Sequence, residues 1–254
     1  CISIEDRANL TAKAVKSFLE EFEKITEDIN GNIWFRDFLI DCKASYLSTH
    51  LLSMGARANT LFSKTIDLKN DKSTRKSSIR KSYKSLINWG NRELQPKVFD
   101  ASDITWELMN EFRLLHIRVS GRETRSEESW RRQFEMVEAG EAFVVFGRLD
   151  NELVSAGLFT HNKTNCYYQV SASKREMFEK PLFHSLMWMA ILHAKKIDCK
   201  WFEIGEQHYP NHPYDKPPTK KELGISEFKA GFGGETRILL DLELELRIRE
   251  NENI

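Results

Sequence analysis

Several things are scarce in this chain of 254 residues, and each absence closes off a class of protein. It has no run of about 18 apolar residues, so no integral membrane segment is expected. Its four cysteines, Cys1, Cys42, Cys166 and Cys199, stand far apart with no CxxC spacing. That pattern suggests neither a zinc site nor a disulfide framework, and it fits a reducing cytoplasm. The 38 basic and 38 acidic residues cancel, so no global positive field argues for DNA as a partner. No nucleophile-elbow motif supports a serine or cysteine triad. His208 and His212 are four apart, but Pro210 lies between them and makes a helical metal-binding pair unworkable, so no metal is expected. Glycine is missing altogether between Gly157 and Gly205.

The chemistry that is present is concentrated in residues 201–234. A short apolar strand stops at Gly205 and leaves Glu206, His208, Tyr209, His212 and Tyr214 just past its end. Ligands of α/β sheets sit at such strand ends. Four of the six prolines come next, then a short basic helix, then Gly231-Phe232-Gly233-Gly234, a run suited to a tight turn back into a strand. The bland alternative is an ordinary polar surface loop. Against it stands the company of titrating groups, two carboxylates, two imidazoles and two phenols within twelve positions, Glu203 to Tyr214.

Hydrophobic periodicity lays out the remainder. Helical spacing covers 8–28, alternation 33–39, a second helix 43–54 ended by Gly55, and a strand 60–68. Residues 71–90 read as a helix ended by Gly90. On it Lys72, Lys76, Arg80 and Lys84 step by four along one face, either a solvated stripe or a grip for phosphates. A connector with Pro96 spans 91–101. Helices are expected at 102–119, with Asp103 as its cap, and at 126–139; between them Arg122 and Arg125 near Gly121 form an anion site or simple salt bridges. Strands 142–149, 152–161 and 166–173 make an antiparallel meander, with Asp150-Asn151 as a hairpin turn. A nearly all-apolar helix opened by Pro181 then leads to the strand at Trp201.

That order of elements is the order of the acetyltransferase-like (GNAT) fold, an α/β architecture. Within it the segment from Thr65 to Gly234 resembles the Fem-type (FemABX) peptidyltransferases and the FemAB-like acyltransferases. The resemblance is carried by Ile66-Asp67-Leu68, the IRKS helix at Ile79 to Ser82, Arg122, Glu203 to Gly205, and the FKxGFGG element from Phe228 to Gly234. It implies two tandem GNAT-like lobes, the first incomplete: residues 1–90 with the basic linker helix, and 91–254 as the complete second lobe. The chain, opening at Cys1 without Met, then reads as a fragment or a processed product. Ordinary acetyltransferases of this fold hold the CoA pyrophosphate on a glycine-rich loop after the fourth strand. Here that position reads Ser173-Lys174-Arg175-Glu176-Met177-Phe178-Glu179-Lys180, without glycine, and the long tRNA-binding helical hairpin of some Fem proteins is absent too. The acyl donor is therefore either an aminoacyl-tRNA or an acyl-CoA, with no cofactor held permanently.

The activity implied is acyl or aminoacyl transfer to an amine of a cell-surface polysaccharide or peptidoglycan precursor, a small or nucleotide-linked acceptor, with charged tRNA as a further partner. Glu206 and then Glu203 are the candidate bases, with His208 and Tyr209 as alternative acid or base and Lys229 to neutralise a phosphate or stabilise an oxyanion. Glu203 is otherwise a structural acid pairing with Lys174 or Arg175. The candidate substrate-binding residues are Lys76, Arg80, Lys84, Arg122, Arg125, Tyr168, Lys174 and His184, the last being otherwise a core histidine. A binding module of the same fold, catalysing nothing, is the alternative from another class.

Overall fold

The computed structural model describes residues 12–27, 30–39, 43–71, 74, 77–211 and 216–246. In chain order the elements are α1 (Ala12–Glu27), β1 (Gly31–Phe38), α2 (Tyr46–Ser53), β2 (Arg57–Asp67), α3 (Lys81–Glu93), β3 (Lys97–Phe99), α4 (Trp106–Ser120), α5 (Glu127–Glu138), β4 (Ala142–Leu149), β5 (Glu152–His161), β6 (Asn165–Ser173), α6 (His184–Lys196), β7 (Trp201–Glu206), α7 (Lys220–Ala230) and β8 (Glu235–Leu246). They form two compact units, residues 1–63 with 236–254, and residues 64–235; β2 runs through the boundary.

The smaller unit has the strand order β1-β8-β2. β1 and β8 pair antiparallel from Gly31 opposite Leu246 to Phe38 opposite Leu239. Leu51, Leu242 and Leu244 form its core, with Phe22 and Phe35 against them. The buried Asp37 carboxylate accepts from the Ser45 N–H (2.6 Å) and the Ser48 hydroxyl (2.7 Å), which anchors the start of α2 to β1.

The larger unit has the order β2-β7-β6-β5-β4-β3. Side chains alternate across a strand, and β4 shows the consequence: Phe143 and Val145 enter one core, Val144 and Phe146 the other. The first core is closed by α3 and α6 through Tyr83, Ile87, Leu186, Met187 and Ile191. The second is closed by α4 and α5 through Met109, Phe112, Leu115, Trp130 and Val137. The sheet is thus covered by helices on both faces, as the apolar runs in its strands require. Asp150 (φ 51°) and Asn151 (φ 65°) carry the positive φ values of a tight hairpin between β4 and β5.

The meander, the capped α5 and the returning strand β8 stand where periodicity placed them. Five local readings are corrected. The helix expected over 71–90 begins only at Lys81, because Arg80 is its N-cap residue with a non-helical ψ of 134°. Gly90 lies inside α3 rather than ending it. A Cβ there would meet Ser185 Oγ at 2.1 Å, so the glycine is kept for close packing of α3 on α6. The connector 91–101 contains β3, which pairs with β4. Asp103 does not cap α4: its carboxylate accepts from the Asp100 N–H (3.0 Å), and Thr105 is the cap. Finally, Pro181 precedes α6 instead of opening it, the helix starting at His184 after the N-cap Phe183.

Candidate active site where two parallel strands part

The pairing of β6 with β7 is parallel and brief. Asn165, Cys166 and Tyr167 lie opposite Trp201, Phe202 and Glu203, and the register stops there. Yet β6 continues through 168–173 and β7 through 204–206. The two strands diverge at their C-terminal ends and leave a wedge. A register shift adds to it: Phe159 pairs with Tyr168 and Leu158 with Val170, so Gln169 is an extra residue in β6. Such a bulge reverses the facing of the residues beyond it. Tyr168 consequently packs on the core of α3 and α6, while Val170 joins the core of α4 and α5.

Gly205, at the wedge, has φ +100°, a conformation that L side chains rarely adopt. A Cβ on it would stand 3.2 Å from Lys229 Nζ and 3.7 Å from Tyr167 Cε2. Lys229 reaches in from α7 and donates to the Glu206 carbonyl (3.0 Å). Burial lowers the pKa of its ammonium, and the carboxylates of Glu206 and Glu203 pull it back up. The Glu206 carboxylate lies 3.8 Å from His208 Nε2. His208 is fixed through its backbone, its N–H donating to Ser226 Oγ of α7 (2.8 Å), and Ser226 in turn donates to the Glu222 carbonyl (2.9 Å). The N-terminus of α7 is held by a capping box between Thr219 and Glu222.

The structure therefore gathers Glu203, Glu206, His208 and Lys229 in one place. Tyr209 lies just beyond, exposed. The remaining candidates are dispersed. Lys76 lies outside the described residues, as do Lys72, His212 and Tyr214. Arg80 pairs with Glu227 of α7 (3.2 Å) and sits over the Tyr83 ring, and Lys84 is half-buried on α3. Arg122, exposed, and Arg125, half-buried, occupy the loop from α4 to α5, on the opposite face of the sheet from α3 and α6. Arg125 stands beside His116, whose pKa is lowered by burial and by that guanidinium. Buried Lys174 is ion-paired with Glu152. Tyr168 is a core residue whose hydroxyl bonds to Ser171 and whose pKa burial pushes up to about 12.

His184 belongs to an aromatic box. Its ring centroid is 4.6 Å from that of Tyr83, 5.1 Å from Phe228 and 6.2 Å from Phe232. Burial outweighs the pull of the Pro181 carbonyl and brings its pKa down to about 4. The box fixes the end of α7: Tyr83 Oη donates to the Phe228 carbonyl (3.1 Å), one residue before Lys229. The glycines of the GFGG run permit this, since a Cβ on Gly231 would lie 2.3 Å from the Tyr83 ring and one on Gly234 (φ +76°) 2.4 Å from the Thr65 carbonyl.

Sequence reasoning passed over Tyr167 and Ser226. Tyr167 is one of two adjacent tyrosines, and only the register with β7 separates it from its core neighbour. Ser226 carried no signal beyond helical spacing.

Among the described residues no three His, Cys, Asp or Glu side chains gather as metal ligands do. No described helix is long and apolar enough to cross a membrane. In the smaller unit a hollow of about 420 Å³ is lined by Lys16, Leu19, Glu20, Glu23 and Tyr46, a solvated mixture without converging donors.

The sequence matches no family model, and no curated protein is similar to it. Its fold, however, has clear likenesses among solved structures. The chain is similar to FemX, with 12% identity over 93% of this chain and 77% of FemX, at a TM-score of 0.66. It is similar to L-PGS from Bacillus licheniformis, with 14% identity over 90% of this chain and 72% of that one, at 0.56. A tandem GNAT protein from the clavulanic acid biosynthesis pathway gives 14% identity, 92% and 70% coverage, and 0.51. The architecture is thus a FemABX-like, GNAT-related fold.

Proposed function

We propose that this protein is an acyl- or aminoacyltransferase that modifies an amine, with the chemistry at the parting of β6 and β7. The observation that carries the reading is the meeting of a carboxylate, an imidazole and a half-buried ammonium, Glu206, His208 and Lys229, at that point. Acyl transfer to an amine needs a base and a stabiliser of developing negative charge, and little more. Glu206 takes the proton from the acceptor's ammonium. The freed amine attacks the acyl carbonyl carbon, and the carbonyl π pair moves onto oxygen. Collapse of the tetrahedral adduct breaks the bond to the leaving group, which departs with that electron pair and receives a proton from the attacking nitrogen by way of Glu206 or His208.

The donor favoured is an aminoacyl ester of tRNA, ahead of acyl-CoA. After β6 the N–H groups of Met177, Phe178, Lys180, Leu182 and His184 already donate to carbonyls within the same segment. Those five groups are thereby less available to cradle a pyrophosphate. The acceptor proposed is an amine of a nucleotide-linked precursor of cell-surface polysaccharide or peptidoglycan, modified in the cytoplasm. Arg80 and Lys84 on one face of the sheet, and Arg122 and Arg125 on the other, are then separate anion contacts rather than one clamp. Two tandem GNAT-like lobes belong to the same proposal, supported by the likeness to a tandem GNAT protein, although the compact units divide at 63/64 and 235/236 rather than at residue 90.

The test is product mass with amine-bearing nucleotide sugars and muropeptide precursors, offering charged tRNA and acyl-CoA in separate reactions. Product with charged tRNA alone supports the reading. Product with acyl-CoA alone overturns the donor assignment, and no product with either overturns the transferase assignment.

A further inference from the structure

Two side chains of α7 grip the chain as it leaves β7. Lys229 donates to the Glu206 carbonyl (3.0 Å), and Ser226 Oγ accepts from the His208 N–H (2.8 Å). Residues 226 and 229 stand one turn apart on the helix, so they share a face of it. The two backbone groups they hold lie on either side of Gln207, itself buried. β7 ends at Glu206, so His208 stands beyond the last strand residue, and the bond to Ser226 ties it to the helix. Ser226 is well placed for this. It is buried, and its hydroxyl donates to the Glu222 carbonyl (2.9 Å), one turn back along α7. That bond directs the hydroxyl proton along the helix and leaves the oxygen's lone pairs for the His208 N–H. Glu222 is anchored in turn, since it closes the capping box with Thr219. At the far end of this chain of contacts His208 Nε2 lies 3.8 Å from the Glu206 carboxylate, a gap that a small movement of either side chain closes.

We infer that Ser226 is a positioning residue, holding His208 beside Glu206 so that the imidazole passes the proton to the leaving group. The inference rests on the transferase reading and deepens it by choosing His208, rather than Glu206, as the last carrier. The proton comes from the attacking nitrogen, is carried by Glu206 to the ring, and leaves the ring for the departing atom, which keeps the electron pair of the broken acyl bond. The imidazole ends as it began. No oxidant or further reactant is needed. Ser226 acts through His208 alone, and its hydroxyl keeps its own proton throughout.

The test uses Ser226→Ala, which removes the hydroxyl and keeps a good helix former, in two measurements on the whole chain. One needs no turnover: amide hydrogen exchange, followed residue by residue. The expected result is exchange of the His208 amide at least about tenfold faster in the variant, with the amides of Phe202 and Ile204 in β7 unchanged. The other is a kinetic cycle with His208→Gln, run with whichever donor gives product. Ser226→Ala alone is expected to lower kcat about ten- to hundredfold, with KM for both substrates within about twofold. Added to His208→Gln, it is expected to cause no further loss, whereas a serine that merely supported the fold would lower both backgrounds alike. An unchanged exchange rate at His208, an unchanged kcat, or an equal loss in both backgrounds overturns the inference. Faster exchange at His208 without product from any donor removes the transferase reading, and the proton step with it, while the hold of Ser226 on His208 stands.

Discussion

β4 and β5 pair along their whole length, from Ala142 opposite Thr160 to Leu149 opposite Glu152, whereas β6 and β7 meet at three positions only. The contrast separates two tasks within one sheet. The meander is hydrogen-bonded on both edges and packed on both faces, and it holds the shape. The parallel pair is allowed to open, and its open end collects the titrating groups. On the proposed reading stability and chemistry have different addresses in the larger unit, and substitutions are expected to divide accordingly.

The largest expected effect lies on the meander side. Trp130, fully buried, meets Phe112 edge-on at 5.1 Å and His116 at 5.4 Å. Trp130→Ala is expected to destabilise the fold by about 3–5 kcal/mol, measured by denaturant unfolding, with KM unchanged in the fraction that remains folded. A shift in KM instead would blur the division.

Next is Gly90→Ala. Alanine in a helix normally gains about 1 kcal/mol over glycine, but here its Cβ would stand 2.1 Å from Ser185 Oγ and 2.6 Å from Ser185 Cβ. Overpacking of that kind costs about 1–3 kcal/mol, so a net loss of stability is expected. A gain would show that α3 and α6 separate freely.

Acid sharpens the comparison further. His184 titrates near 4 in the folded protein against an ordinary value of 6.5, because burial disfavours the charged ring. Burial lowers His161 and His193 in the same direction. Above pH 6.5 both folded and unfolded forms are neutral at these sites. As the pH falls from 6.5 towards 4 the unfolded chain takes up protons that the folded one refuses, and stability declines. His184→Phe is expected to flatten part of that decline in a melting series across this range; an unaltered slope would exclude His184 as its source.

The smallest effect belongs to Arg80→Ala, which removes an exposed pair with Glu227. Less than about 1 kcal/mol of stability is expected to be lost. A larger loss would mean that Arg80 holds α7, and with it Lys229, in place.

Much of this was legible in the residues themselves. The meander comes from alternation and from Asp150-Asn151, and the strand opening at Trp201 from an apolar run, though β7 continues through Gly205 to Glu206 instead of stopping at the glycine. The nearness of Glu206 and His208 was legible too, because a loop dense in titrating groups is conspicuous, while Lys229 stood out only by its place before the glycine run. The basic stripe was legible only in part: Lys72 and Lys76 lie outside the described residues, and Arg80 is the N-cap residue of α3, so only Lys84 of the four stands within that helix. Tyr167 was hidden for a different reason. Its place beside Gly205 depends on where β6 ceases to pair with β7, which leaves no local pattern. Gly90 shows the same limit: a glycine near a helix end looks like a stop, and only the neighbouring helix reveals it as a contact.

The most direct test of the account is the turnover of Glu206→Gln at saturating donor and acceptor, compared with its unfolding midpoint. Loss of a general base at the parted strands predicts a fall in kcat of about 10²–10⁴-fold with the midpoint nearly unmoved. Undiminished turnover would place the chemistry elsewhere in the molecule.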